Sequence, residues 1–230
     1  MEELETNLRA PQVKIASEYE KNVGYFIIKR IIDVIGALCG ILLLSPVMIV
    51  VAIWIKLDSK GPVFFGHKRL GMKGEFIKVY KFRTMLPNAE ELLKKLTPKQ
   101  KIEFEESFKL ENDPRITKLG QFLRKSSLDE LPQLLNILKG NMSIVGPRPI
   151  VEREIENYGI YGDKLLSVKP GLTGNWQASG RSDTTYDERV QLDMEYIDYR
   201  SVWVDLKIIF KTFGADRKST RLNSSHPLDL

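Results

Sequence analysis

The stretch V-I-G-A-L-C-G-I-L-L-L-S-P-V-M-I-V-V-A-I-W-I, Val34 to Ile55, runs for 22 residues without a charged side chain. About 20 helical residues cross a bilayer core of about 30 Å, so the length alone predicts a transmembrane helix. A cleaved secretory signal fits poorly, because the run begins far from Met1, is too long and lacks a small-residue cleavage site. The sequence therefore predicts a membrane helix.

The middle and the flanks of this run argue against a simple span. Ser45-Pro46 lies at the middle, where proline removes a backbone hydrogen bond and clashes with the Leu42 carbonyl. Both flanks are basic, and the positive-inside rule places both on the cytoplasmic side. These features favour a re-entrant helix-break-helix with Ser45 and Pro46 at the break, where the Ser45 hydroxyl could meet a freed carbonyl. A kinked spanning helix is the alternative. The flanking basic residues are Lys21, Lys29, Arg30, Lys56, Lys60, Lys68 and Arg69.

Asp33 lies just inside the apolar boundary. One role for it is a local ion pair with Lys29 or Arg30, four and three residues earlier on the helix, which is the simpler interpretation. The other is a tether that holds the membrane element to the rest of the chain.

The whole chain of 230 residues has the composition of a folded protein, with 43% hydrophobic and 28% charged residues. One cysteine, Cys39, excludes a disulfide framework, and two histidines argue against a histidine-rich metal site. The net charge of +5 fits nucleic acid, a nucleotide substrate or an anionic membrane surface equally well. Composition alone selects none of these partners.

The remaining patterns predict a mainly α protein with a small β element, an α+β fold. The segment 61–85 is typical of a hairpin that turns at 71–74. Helices are expected at 88–96, from Thr97 onward, and at 117–125, 129–139, 151–158 and 184–213. The apolar stripe of the last helix suits either core packing or a position in the lipid headgroup layer. The predicted divisions are a polar segment 1–24, the re-entrant helix 25–58, a cytosolic-face domain 59–214 and a disordered or non-native tail 215–230.

The polar and charged residues that could carry out chemistry are most concentrated between Asn112 and Pro149. Within it, Ser127, Asp129 and Glu130 precede an apolar run, which is the pattern of a helix capping box. The paired acids also suit Mg²⁺, which binds one or two carboxylates together with substrate phosphates. Arginines nearby could neutralise phosphoryl oxygens. A structural cap and a phosphoryl-transfer site both remain open on the residues alone. The nearby cations are Arg115, Arg124, Lys125 and Arg148.

With these residues in hand, the chain resembles the bacterial sugar transferases, the monotopic polyprenyl-phosphate phosphoglycosyl transferases. The resemblance covers about Tyr25 to Phe213 and rests on several motifs in order. These are K-R-I-I-D at 29–33, Ser45-Pro46, Y-K-F-R-T-M at 80–85, N-D-P-R-I-T at 112–117, S-L-D-E-L-P-Q at 127–133, G-P-R-P at 146–149, K-P-G-L-T-G at 169–174 and S-G-R at 179–181.

The resemblance implies a re-entrant membrane helix, amphipathic interfacial helices and a catalytic acidic pair. Asp129 would be the nucleophile that takes a sugar phosphate from a UDP-sugar and expels UMP, before undecaprenyl phosphate accepts the sugar phosphate. Glu130 would help to hold Mg²⁺, and which of Asp129 and Glu130 contacts the metal stays open. Candidates for phosphate or donor contacts are Arg124, Arg148, Lys81, Arg83, Arg115 and Arg181, with a structural ion pair as the alternative for Arg83.

The resemblance also implies partners and a location. Residues 179–190 look most like enzymes that move galactose- or glucose-1-phosphate in O-antigen, capsule or exopolysaccharide synthesis. The expected partners are a UDP-sugar, undecaprenyl phosphate and membrane lipids at the cytoplasmic face of the bacterial inner membrane, with no nucleic acid and with a homodimer left open. An N-acetylated amino sugar donor and a non-catalytic membrane scaffold are the alternatives. Because some relatives carry extra N-terminal membrane helices, the chain would be a compact member or a trimmed catalytic part.

Overall fold

The computed structural model describes residues 23–98, 100–101, 104, 110, 113–180 and 185–223, with side chains described up to residue 212. The predicted polar segment 1–24 therefore lies almost wholly outside the described residues, as do Arg181 and residues 224–230. The fold is mainly helical with two small sheets, which confirms the predicted mixture of elements.

The first helix, α1, runs from Val23 to Asp58 without an interruption, although Pro46 lies inside it. The sequence predicted a helix-break-helix at this point. The Ser45 hydroxyl donates to the Leu42 carbonyl at 3.0 Å, which is the carbonyl that the proline nitrogen cannot bond. Because this bond replaces the missing one, the helical backbone continues past the proline.

Helix α1 is long and apolar enough to cross a membrane, and only 11% of its most apolar 18-residue window is buried inside the protein. Its uncovered side chains include large apolar ones, with Leu42 and Leu43 both 75% exposed. An apolar surface of this extent on a helix is typical of contact with lipid. This supports the predicted association with a membrane.

The elements that follow α1 are short. The predicted hairpin is confirmed by two strands joined through a 3₁₀ turn at Met72–Gly74. The second sheet pairs two strands in parallel, with Ser143 opposite Gly171 and Val145 opposite Thr173. The strands are β1 Phe64–Leu70, β2 Phe76–Phe82, β3 Ser143–Val145 and β4 Gly171–Thr173, and the helices after α1 are α2 Ala89–Lys94, α3 Lys118–Lys125, α4 Gln133–Lys139, α5 Gly162–Leu165, α6 Asn175–Gly180, α7 Tyr186–Tyr199 and α8 Val202–Asn223, with further 3₁₀ helices at Leu128–Glu130 and Glu152–Tyr161.

One long helix was predicted over 184–213, and the structure has two. Helix α7 ends at Tyr199, the ψ of 129° at the next residue, Arg200, is not helical, and α8 starts at Val202. The Ser201 hydroxyl accepts from the Val204 backbone N–H at 3.3 Å and so serves the start of the new helix. Helix α8 continues to Asn223, past the predicted domain end at residue 214.

The apolar stripe of α8 divides between a buried and an exposed face, so core packing is confirmed for one face and a position in the headgroup layer stays a prediction for the other. Ile208 is buried in the core, whereas Trp203 is 66% and Phe210 is 74% exposed. The Lys207 ammonium lies 5.8 Å from the centre of the Trp203 ring. One face of α8 therefore packs inward and another presents aromatic and basic side chains.

The chain divides into two compact units. The first comprises the described parts of Met1–Cys39, Lys68–Lys78 and Leu134–Leu230, and the second comprises Gly40–His67 and Val79–Gln133. In the first unit the main core brings apolar residues of β3, α7 and α8 together.

The N-terminal part of α1 is bonded to the rest of the first unit by three charged side chains. Asp33 accepts from the Ser143 hydroxyl at 2.9 Å and from the Ile144 backbone N–H at 2.8 Å. Lys29 forms a salt bridge with Asp205 at 2.8 Å, and Arg30 donates to the carbonyls of residues 137 and 138. Asp33 is therefore the tether of the second interpretation, and the simpler local ion pair is wrong.

In the second unit the core lies between the C-terminal part of α1, the end of β2 and helix α3. Its fully buried members include Ile55, Phe82 and Leu123. An isolated antiparallel bridge joins Met85 to Ile116, so the segment after β2 runs beside the start of α3.

Candidate active site

The acidic pair lies on a short 3₁₀ helix, Leu128–Glu130, between α3 and α4. The capping box predicted for Ser127 and Glu130 is wrong, because the Ser127 side chain makes no capping bond and α4 starts only at Gln133. Ser127 instead has a left-handed backbone with φ 56°. This conformation costs a non-glycine residue free energy and is found most often where function requires it.

Lys81, near the end of β2, joins the two acids. Its Nζ lies 2.6 Å from Glu130 Oε1 and 3.8 Å from Asp129 Oδ2. Asp129 is buried, at 6% exposure, whereas Glu130 and Lys81 are half-buried. One cation therefore serves two neighbouring carboxylates, of which the first is the more shielded from water.

The surroundings of Asp129 set its acidity. Burial raises the pKa of Asp129 to about 6; the charge of Lys81 acts against this rise, that of Glu130 adds to it and that of Arg124 again opposes it. At pH 7 a carboxyl with this pKa is about nine-tenths ionised, yet it is more basic than an ordinary aspartate. Such a group can act as a nucleophile at neutral pH.

Arg124 is the second cation beside the pair. It lies in the last turn of α3, and its Nε donates to the Thr84 hydroxyl at 2.9 Å. Helix α3 approaches Thr84 closely at Gly120, where a Cβ would stand 2.0 Å from the Thr84 carbonyl oxygen. A glycine is needed there to bring Arg124 to its position. Arg124 therefore remains a candidate for contact with a phosphoryl group.

Arg83 and Arg115, two further predicted donor or phosphate contacts, are both held by other parts of the protein. Arg83 is buried and donates to the carbonyls of Lys60 at 2.6 Å and Ser59 at 2.7 Å, just after the end of α1. Arg115 is buried in a two-pronged ion pair with Asp113, with Nε–Oδ1 at 2.8 Å and Nη2–Oδ2 at 2.7 Å. Both guanidinium groups are bound by the protein itself, which favours a structural role over the predicted contact with substrate.

We expect Arg83→Met to lower the thermal unfolding temperature of the detergent-solubilised protein by roughly 5–10 °C, because carbonyls at the end of α1 lose their donor, at a cost of about 3 kcal/mol. Lys56→Met is the matched control: Lys56 Nζ also donates to a carbonyl in this region, that of Gly61 at 3.0 Å, but at an exposed site. An unchanged unfolding temperature in Arg83→Met, together with lost activity, would instead indicate that Arg83 contacts the substrate.

With this geometry established, comparison with known proteins places the chain. The profile of the family described as "Bacterial sugar transferase" matches residues 24–217. The chain belongs to the bacterial sugar transferase family. The predicted resemblance is thereby confirmed, and the match includes the whole acidic site as well as α1.

Three relatives of this bacterial sugar transferase have names that refer to sugar-phosphate transfer or to exopolysaccharide production. It is 46% identical over 204 residues to an undecaprenyl-phosphate galactose phosphotransferase of Salmonella typhimurium, covering 87% of this chain and 42% of the relative. It is 45% identical over 194 residues to a UDP-glucose:undecaprenyl-phosphate glucose-1-phosphate transferase of Escherichia coli, covering 81% of this chain and 39% of the relative. It is also 46% identical over 190 residues to the exopolysaccharide production protein ExoY of Rhizobium meliloti, covering 81% and 84%. The chain thus spans about two-fifths of the length of the first two.

The other two predicted contacts of the sugar transferase are Arg148 and Arg181. Arg148 belongs to the first unit, where its charge opposes the rise that burial causes in the pKa of Asp193, to about 7. Asp193 also accepts from the Tyr158 hydroxyl at 2.9 Å. Arg181 lies outside the described residues, so both arginines stay predictions.

The donor set of this sugar transferase fits a magnesium ion in type. Asp129 and Glu130 supply hard carboxylate oxygens, and a cation, the Lys81 ammonium, already lies between them. Within the described residues no group of three or more histidine, cysteine, aspartate or glutamate side chains converges. A metal here would therefore depend on waters and substrate phosphates for its remaining ligands, which is the usual arrangement for Mg²⁺.

Sequence reasoning overlooked Thr84 and Asp113. Thr84 bonds to Arg124, and Asp113 holds Arg115, whose backbone carbonyl in turn accepts from Leu86. Both stand inside motifs that were recognised, Y-K-F-R-T-M and N-D-P-R-I-T, so the signal was present. Neither side chain carries a positive charge, so neither is a candidate for a phosphate contact on the sequence alone.

Proposed function

We propose that this chain is a phosphoglycosyl transferase that moves a sugar-1-phosphate from a UDP-sugar to undecaprenyl phosphate and releases UMP. The observation that carries the proposal is the buried Asp129, which has a raised pKa and lies between Lys81 and Arg124. The family membership and the names of the relatives supply the substrate class.

The reaction proceeds in two displacements. An ionised Oδ of Asp129 attacks the sugar-bearing phosphorus of the UDP-sugar; a P–O bond to Asp129 forms, the anhydride P–O bond breaks, and UMP leaves with the bonding electrons. A phosphate oxygen of undecaprenyl phosphate then attacks the same phosphorus and displaces the Asp129 carboxylate. One anhydride replaces another, so no further energy source is needed. Such division of a transfer into two steps is ordinary covalent catalysis.

The cations of the site stabilise the charge that moves during these steps. Lys81 lies 3.8 Å from the attacking carboxylate and keeps it ionised, and Arg124 offers a planar guanidinium to phosphoryl oxygens. Glu130 and Asp129 would hold Mg²⁺, which supplies positive charge to the phosphoryl group when bound. Lys81 is also bonded to Glu130, so its positive charge offsets part of the negative charge of the two neighbouring carboxylates.

We propose that α1 enters and leaves the membrane by one face. Its N-terminal part bonds to Ser143 and Val145, and its C-terminal part packs on Leu119 and Leu123. Basic residues flank both ends of α1, so the positive-inside rule favours the same side for both. Such a path requires α1 to bend, and Ser45-Pro46, where proline omits one backbone hydrogen bond, is where it would do so.

The exposed face of α8 supports the same placement. Trp203, Phe210 and Lys207 combine aromatic and basic side chains in the way expected of a helix in the headgroup layer. With basic residues on both flanks of α1, the side concerned is the cytoplasmic face of the inner membrane. UDP-sugars reach the active site from that side.

The pathway and the donor are proposed from the relatives alone. Their names favour UDP-galactose or UDP-glucose and a role in exopolysaccharide production. Capsule and O-antigen synthesis are the alternatives that the motif resemblance implies. The non-catalytic scaffold is disfavoured, because Asp129, Glu130, Lys81 and Arg124 are all in place around one buried carboxylate.

The experiment that tests this function is a UMP-release screen with purified protein, Mg²⁺ and undecaprenyl phosphate. We expect release with UDP-galactose or UDP-glucose and much less with UDP-N-acetylglucosamine. Chelation of Mg²⁺ should abolish the release. If no UDP-sugar releases UMP in the presence of the lipid acceptor, the proposed function is wrong; release only with an N-acetylated donor would correct the sugar and keep the chemistry.

A further inference from the structure

A cavity of about 470 Å³ lies beside the first turns of α1, within the first unit. Apolar side chains of α1 form one wall, and two of them, Ile27 and Ile31, are 55% and 51% exposed. The other walls come from the loop Ser167–Lys169, from β3 and from Tyr196. A cavity of this size with mostly apolar walls and a few polar groups is typical of a ligand site.

Cationic side chains converge on this cavity. Lys29, Arg30, Lys169 and Arg200 all line it. Arg30 Nη2 and Lys169 Nζ lie 3.6 and 3.8 Å from the point that a Cβ on residue 140 would occupy, so the two charges are close together. The carboxylates that face these four cations are those of Asp33, which lines the cavity, and Asp205, which pairs with Lys29. Four cations against two carboxylates leave an excess of two positive charges.

Lys169 is the cation of this group that the protein leaves available. Lys29 is bonded to Asp205 and to the Val145 carbonyl, and Arg30 to the carbonyls of two residues near the end of α4. Among the described residues, the Lys169 ammonium makes no hydrogen bond or salt bridge, and Asp33 is the carboxylate that attracts it. Burial, and next the charge of Arg30, lower the pKa of Lys169. An anion in the cavity would relieve this repulsion.

We propose that the cavity binds the phosphate group of an anionic lipid. Lys169 and the unused N–H groups of Arg30 contact the phosphate, and the lipid chain lies along Ile27 and Ile31. The apolar wall on a membrane helix favours a lipid over a soluble anion, because a free phosphate would leave this wall exposed to water. The inference rests on the membrane placement of α1 in the proposed function and is independent of the transfer reaction.

The phosphate could belong to a bilayer phospholipid or to the polyprenyl carrier, and binding measurements distinguish them. The full chain, without UDP-sugar, is titrated in detergent with phosphatidylglycerol and with undecaprenyl phosphate, and with phosphatidylcholine and undecaprenol as lipids without net charge. We expect Lys169→Gln to weaken binding of at least one anionic lipid by about tenfold or more. Lys78→Gln, the same change at an exposed site outside the cavity, should leave it unaffected.

Two controls keep the outcome clear. The unfolding temperature of Lys169→Gln should equal or exceed that of the wild type, since a half-buried cation that Arg30 repels is removed. Equal binding of charged and uncharged lipids, or equal affinities of the Lys169 and Lys78 variants, would overturn the inference. If one of these results is found while the wild type releases UMP normally, only the lipid-site inference is refuted. Lys169-dependent lipid binding without any UMP release would refute the proposed function instead.

Discussion

Asp129→Asn is expected to reduce UMP release by on the order of 10³-fold or more, the largest effect of any substitution in this chain. Asparagine keeps the size of the side chain but has no ionised oxygen to attack phosphorus. Single-turnover release from a UDP-sugar, measured without lipid acceptor, should disappear as well, because the first displacement is the step that is lost.

The same variant should fold at least as well as the wild type. Burial raises the pKa of Asp129 to about 6, so the folded state favours the neutral form, and the ionised carboxylate destabilises the fold increasingly as pH rises from the unfolded pKa to about 6. Removal of that charge should leave the unfolding temperature at pH 7.5 unchanged or higher. Lost activity with a markedly lower unfolding temperature would mean that Asp129 is structural.

Lys81→Met is expected to lower UMP release by about 100-fold. The substitution leaves two carboxylates side by side without their shared ammonium, which lies 2.6 Å from Glu130 and 3.8 Å from Asp129. The charge of Lys81 is the main influence that lowers the pKa of Asp129, so its removal raises that pKa and more of the nucleophile is protonated at pH 7. A part of the activity should therefore return as the pH is raised.

The matched control is Lys78→Met, which removes a lysine from the same strand but from its opposite face. It should retain wild-type release. Equal losses in the two variants would show that β2 tolerates no such change, and an unchanged Lys81→Met enzyme would remove Lys81 from the active site.

Local patterns were sufficient to predict several elements of the fold. The charge-free run to Ile55 predicted α1, and aromatic and β-branched residues around a glycine turn predicted the hairpin of β1 and β2. In both cases the signal is carried by neighbours in the sequence. The predicted break of the helix at Pro46 is not present in α1, because the Ser45 hydroxyl supplies the hydrogen bond to the Leu42 carbonyl that proline omits.

Long-range partners could not be predicted from the sequence. Asp33 bonds to Ser143 and Ile144, which lie 110 and 111 positions later in the sequence, and nothing in the residues around Asp33 indicates these partners. Arg83, Arg115 and Arg124 look alike in sequence, yet the first two are buried by protein acceptors and the third lies beside Asp129. The capping box was wrong for the same reason, since Lys81, 49 residues before Glu130, holds that acid.

The most direct measurement of the central claim is the mass of the protein after incubation with UDP-galactose or UDP-glucose and Mg²⁺, without lipid acceptor. We predict an increase by one hexosyl phosphate, mapped by peptide fragmentation to Asp129, which disappears when undecaprenyl phosphate is added. An adduct on another residue, or release of UMP in the presence of lipid with no adduct formed at any time in its absence, would contradict a covalent role for Asp129.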